Sequence, residues 1–248
     1  MTEAQIAIAA AAFMIAGIVK GAVGIGQMTT AVAILGLGLD LRAAVPLLIV
    51  PALVSNLWQT TRGTEAPAIL KRFALANLAG GIGIVLGTAI LFAIEPALLS
   101  AALGILVAAY AALTLARFDP VAPPSVERWG TPPMAFVSGI LTGATGSLHL
   151  LLAAWFAALK LPREAYIQAV GLTFLIASLF WAGSLFLEGA LSLATIAWSA
   201  AALVPTFAGM ALGGALRGRV SESAFRTGLM IFLLVLSASL VWKAVGRF

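Results

Sequence analysis

Gly17-Ile18-Val19-Lys20-Gly21-Ala22-Val23-Gly24-Ile25-Gly26 breaks an apolar run that begins near residue 4. One lysine and four glycines stand where the flanking residues are almost all aliphatic. The same spacing returns in Gly139-Ile140-Leu141-Thr142-Gly143-Ala144-Thr145-Gly146. Gly17, Gly21 and Gly24 fall on Gly139, Gly143 and Gly146, and Ile18 and Ala22 fall on Ile140 and Ala144. In that register Gln27 meets His149, Leu39 meets Leu161 and Ala43 meets Ala165.

The surroundings say which phase these glycines occupy. Of 248 residues, 62% are hydrophobic and 9% charged, and the mean hydropathy is +1.11. An average soluble domain is about 45–50% apolar and about 25% charged. So few charges cannot cover a soluble globule of this size, and a disordered chain is excluded by the same arithmetic. The runs are apolar without the alternation of outer-membrane barrel strands. The expectation is an all-α integral membrane protein.

Charges and Pro/Gly clusters divide the chain into apolar runs near 4–20, 24–38, 42–60, 72–94, 96–116, 131–145, 147–160, 164–187, 190–215 and 222–245. A helix needs roughly 20 residues to cross about 30 Å of hydrocarbon. Runs 24–38, 131–145 and 147–160 are too short. Glycines rather than charges separate the short runs from their neighbours, so they read as re-entrant or broken hairpins. Residues 117–130 form a polar, proline-rich linker, with five segments on either side. The expected organisation is therefore an N-terminal repeat (1–116), a cytoplasmic linker (117–130) and a C-terminal repeat (131–248).

Charge orients the two halves. Loops 60–72, 117–130, 160–164 and 216–226 carry ten cations, while the opposite side has only Arg42, Lys243 and Arg247. By the positive-inside rule the first set is cytoplasmic and both termini are periplasmic. The halves then have inverted topology, which places a binding site between them near the midplane. The net charge of +5 is read as membrane anchoring rather than nucleic-acid binding. The first segment lacks the basic start of a signal peptide and is expected to be retained.

Lys20 is the first candidate for chemistry. An ionisable residue inside a membrane run is costly and marks function by default; the competing reading is a lysine snorkelling from a helix end. Gly21, Gly24 and Gly26, with Gly143 and Gly146, mark two hairpin tips. There a ligand can approach the backbone and the N–H groups of a following helix can bind an anion. The competing reading is close helix packing, which Gly17-xxx-Gly21 and Gly139-xxx-Gly143 also satisfy. Gln27, Thr30, Ser147 and His149 follow the tips as hydrogen-bonding groups, and His149 is the candidate for proton coupling. Asn56 and Gln59 lie in the helix after the first hairpin, as candidates for the path or for helix contacts.

Several chemistries are excluded. There are no cysteines and one histidine, so no metal site and no cofactor are expected. No carboxylate lies well inside a run, no Walker loop is present, and the glycines around residue 24 lack the strand that a dinucleotide fingerprint needs. An enzyme is not expected.

Gly17 to Gly26, Leu35-Gly36-Leu37-Gly38-Leu39-Asp40-Leu41-Arg42 with Pro46, and Gly139 to Gly146 resemble the TauE/SafE-type sulfite exporters. The resemblance spans the chain in length and segment order. It implies transport of sulfite or small organosulfonates, such as sulfoacetate and taurine-derived products, across the bacterial inner membrane. Gln27 and Met28 replace glycines often found after the first tip in that family, which bears on the substrate's size. The expected function is a secondary transporter, an exporter of a small sulfur-containing anion. The alternatives are a non-transporting scaffold or assembly subunit, and an exporter of a different small solute. The anion, a coupling H+ or Na+, and the oligomeric state stay open.

Overall fold

The computed structural model describes residues 2–61, 63–117, 119–147, 150–216 and 221–245. Its elements are helical, with no strand among the described residues. In chain order they are α1 (Glu3–Val23), α2 (Gln27–Gly38), α3 (Leu41–Ala44), a 3-10 turn (Val45–Leu48), α4 (Ile49–Thr60), α5 (Ala66–Arg72), α6 (Ala74–Ala93) and α7 (Pro96–Leu115). There follow α8 (Pro124–Thr145), α9 (Leu150–Ala158), α10 (Arg163–Leu187), α11 (Leu193–Ala201), α12 (Leu203–Leu216) and α13 (Glu222–Val245). Seven stretches among the described residues are long and apolar enough to cross a membrane; α3 to α4 and α11 to α12 each count as one. The chain is a multi-pass membrane protein.

Prolines set the breaks. Pro46 and Pro51 lie where α3, the 3-10 turn and α4 follow one another, and Pro205 stands in the first turn of α12. Each falls near a junction where one helical element gives way to the next, and there the missing donor favours a break in a continuous helix. Pro124 has the opposite effect. It begins α8 at a first-turn position, where the missing N–H costs nothing and its fixed φ suits the helix. Helix thus starts inside the stretch read as a linker. Run 131–145 is the latter part of a 22-residue helix, not a short segment. Pro132 and Pro133 lie inside that helix without ending it.

The three most extensive helix contacts are α6 with α8, α1 with α12, and α7 with α13. Each pairs an element before residue 117 with one after it. Two of these contacts are made by glycine. A Cβ on Gly17 would run into the Thr206 carbonyl, and one on Gly21 into the Met210 carbonyl. In the other pair, a Cβ on Gly139 would strike the Gly80 carbonyl and one on Gly143 the Ile84 carbonyl. The facing glycines match as well: Gly209 lies on Met14 and Gly213 on Ile18, as Gly83 lies on Phe136 and Gly87 on Ile140. In lipid there is no hydrophobic drive between helices, so such close backbone approach is what holds them together.

On the surface Arg72 pairs with Glu127 through two 2.6 Å hydrogen bonds, joining α5 to the start of α8. That bond pushes the guanidinium still further above its ordinary pKa.

Candidate functional site

α1 and α2 meet at Gly24-Ile25-Gly26. Gly24 closes α1 at φ 94°, its N–H bonded to the Lys20 carbonyl, and Gly26 opens α2 at φ 89°. Both sit in the left-handed region that favours glycine. The same closure ends α8, where Gly146 at φ 77° bonds the Thr142 carbonyl. α2 has only 12 residues, about 18 Å at 1.5 Å per residue, short of the roughly 30 Å of a bilayer core.

Lys20 lies in the last turn of α1 and is 7% exposed. Its Nζ donates to Asn56 Oδ1 at 2.6 Å and to Ser55 Oγ at 3.0 Å. Ser55 Oγ in turn donates to Gln27 Oε1 at 2.9 Å. The ammonium is thus held by neutral oxygens, and among the described residues it is in no ion pair. These bonds orient the neighbouring amides. Both are held by their oxygens, which leaves Gln27 Nε2 and Asn56 Nδ2 buried without a partner, and Thr30 Oγ1 is in the same state. Unpartnered buried donors cost free energy and call for an acceptor. No side chain caps the N-terminus of α2, so its first-turn N–H groups add to the positive end of this array.

These groups form one end of a cavity of about 750 Å³. Val170, Phe174, Met230 and Leu233 line its walls, and Asp119 to Pro123 line its mouth.

The expected site residues separate into three groups. Lys20, Gly24, Gly26, Gln27, Thr30 and Asn56 line the cavity or form its polar end. Gly21 and Gly143 lie in the glycine contacts with α12 and α6, off the cavity, for the steric reason given above. Gly146 and Ser147 also stand off it. A Cβ on Gly146 would meet Val45 and Val32 side chains at 3.0 and 3.1 Å, and buried Ser147 bonds Thr145 at 2.8 Å. His149 lies outside the described residues. Gln59 lines the cavity too, with its Nε2 bonded to the Ile167 carbonyl at 3.0 Å. Ser55 is the residue that sequence reasoning missed. Its signal was adjacency to Asn56 on a helix that faces a buried lysine.

Residues 9–240 match the family model described as sulfite exporter TauE/SafE. The chain belongs to this family. Neither the curated proteins nor the solved structures returned a match. A TauE/SafE chain is a membrane transporter of the sulfite and sulfonate exporter type, which agrees with seven stretches long and apolar enough to cross a membrane.

Proposed function

We propose that this TauE/SafE protein exports a small sulfur-containing anion, sulfite or an organosulfonate, from the bacterial cytoplasm, and binds it at Lys20, Gln27, Thr30 and Asn56. The observation that carries the reading is the set of unpartnered donors around a cation that has no carboxylate partner. A sulfonate or sulfite oxygen accepts from each of them and supplies the missing negative charge. The same array repels a cation and offers nothing to an apolar solute. A carboxylate can use the same donors, so the sulfur comes from the family and the charge from the site.

Cavity size bears on the substrate. About 750 Å³ equals roughly 25 waters at about 30 Å³ each. With mostly apolar walls, it takes an anion with a short organic body as readily as bare sulfite. Export needs no coupling ion in this reading, since each negative charge leaving an inside-negative cell gains about 2.3 kcal/mol per 100 mV. His149, aligned with Gln27, is the residue to test if transport proves to depend on protons.

The architecture that goes with this function is a pair of inverted repeats, 1–116 and 131–248, each with a re-entrant hairpin near the midplane and both termini periplasmic. The matched glycine contacts of α1 on α12 and α8 on α6 support it, as do the equivalent glycine closures at 24 and 146.

The test is charge movement in proteoliposomes on a solid-supported membrane, with sulfite, sulfoacetate, taurine and sulfate added in turn. A negative-charge current for sulfite or sulfoacetate, absent in Lys20→Met, is expected. No current and no labelled flux for any of the four would overturn the reading and favour a scaffold.

A further inference from the structure

Among the described residues, three charged side chains line the cavity: Lys20, Asp119 and Arg226. Asp119 is neutralised at the mouth by Lys160, whose Nζ lies 2.5 Å from its carboxylate. Two cations remain, and they differ in depth. Lys20 is buried, while Arg226, in the second turn of α13, is exposed and in no ion pair among the described side chains. Two phenols accompany Arg226 on the cavity wall. Tyr166 of α10 and Tyr110 of α7 line the cavity with it, as does Thr114, one turn on from Tyr110 in the same helix. Three helices thus bring one guanidinium and two hydroxyls to the mouth. Between this group and Lys20 the walls are apolar, with Leu229, Met230, Leu233 and Phe174.

Guanidinium presents parallel N–H donors that match the paired oxygens of a sulfonate, sulfite or carboxylate. A phenol donates one more hydrogen bond. An exposed cation at the entrance of a low-dielectric cleft also raises the local concentration of anions.

We propose that Arg226, Tyr110 and Tyr166 form a second anion-binding station at the cavity mouth, which takes an oxyanion from the aqueous side before it passes to Lys20. The proposal rests on the cavity being an anion pathway. It adds a capture step and a residue that sets apparent affinity, separate from the Lys20 site. The shared chemistry, an anionic oxygen pair, also occurs in lipid headgroups, so the test must separate the two sources.

The experiment is equilibrium binding of sulfoacetate and of sulfite to the purified full chain in nonionic detergent, paired with transport in phosphatidylcholine vesicles. Lys20→Met is expected to keep one binding event, which disappears when Arg226→Gln is added. Arg226→Gln alone should raise the half-saturating concentration for transport about tenfold, the loss of one charge-assisted contact. Its maximal rate and melting temperature should stay unchanged. Arg226→Lys should recover part of that loss, and Tyr110→Phe with Tyr166→Phe should raise half-saturation about threefold. Wild-type half-saturation in Arg226→Gln overturns the proposal, as does a fall confined to maximal rate and melting temperature, which marks a structural role. An effect seen only when anionic lipid is present assigns Arg226 to a headgroup and also overturns it. If the wild type moves neither anion, the transport reading fails by itself. The station then stands only if Lys20→Met still binds sulfoacetate through Arg226.

Discussion

The ammonium of Lys20 lies 2.6 Å from the amide oxygen of Asn56, and that contact turns the Asn56 N–H2 group toward a position with no protein acceptor. Removing the lysine should therefore affect stability and function differently. A buried cation without a carboxylate partner is costly to the fold. Lys20→Met is expected to leave the melting temperature unchanged or higher, while anion affinity falls about 10- to 100-fold, the equivalent of roughly 1.5–3 kcal/mol. Thermal melting and sulfite-driven current on the same preparation check both halves. A variant that loses both together would show Lys20 to be structural.

Asn56→Asp makes the complementary case. A carboxylate at that position would pair with Lys20 and occupy the charge that the substrate is proposed to neutralise. Transport should be lost, with at most a small change in melting temperature, whereas Asn56→Ser should retain part of it. Equal activity in Asn56→Asp and wild type would remove Lys20 from the binding site.

The glycine contacts predict paired damage. At Gly17 a side chain would collide with the Thr206 carbonyl, and at Gly139 with the Gly80 carbonyl. Backbone cannot swing aside as a long side chain can, so the helices must part. Gly17→Val and Gly139→Val are each expected to cost about 1–3 kcal/mol by overpacking. Their effects should add in the double variant, because the contacts lie on different helix pairs. Denaturation in detergent measures all three. A neutral Gly139→Val beside a damaging Gly17→Val would break the equivalence of the two halves.

Much of this was legible in the sequence, and the misses have physical causes. The seven long spans follow from hydropathy alone. The glycine doublets and Lys20 stood out because lipid makes both conspicuous. What could not be read was which glycines face a neighbour and which face a cavity. Gly21 and Gly24 are three residues apart, yet one lies against the Met210 carbonyl and the other has nothing within 4 Å of a built Cβ. That difference depends on where α12 crosses, a long-range fact. The start of α8 was missed for a local reason: a proline that usually ends a helix also suits its first turn.

Gly24 isolates conformational strain from crowding. Its φ of 94° is unfavourable to any side chain, although the space around it is open. Gly24→Ala is expected to cost about 1–2 kcal/mol, the penalty for a left-handed L-residue. Gly24→Asn should cost less, since Asn tolerates that region best among the others. Thermal shifts that rank Ala above Asn in damage check the backbone geometry of the tip. If the two were alike and neutral, α1 would close differently.

The absence of cysteine from the chain makes the topology directly testable. Val121 lines the mouth and is 68% exposed, and Ile94 follows α6 at its other end, next to Glu95. By the charge count the first is cytoplasmic and the second periplasmic. Val121→Cys should react with an impermeant maleimide only after cells are opened, and Ile94→Cys in intact cells. A third probe, Thr30→Cys, sits at the deep polar end of the cavity. Thr30 and Val121 line the same cavity, so labelling should come from the Val121 side and slow when sulfoacetate is present. Labelling of Val121→Cys in intact cells would invert the topology. The cavity would then be open to the outside, and the anion would first be met there rather than in the cytoplasm.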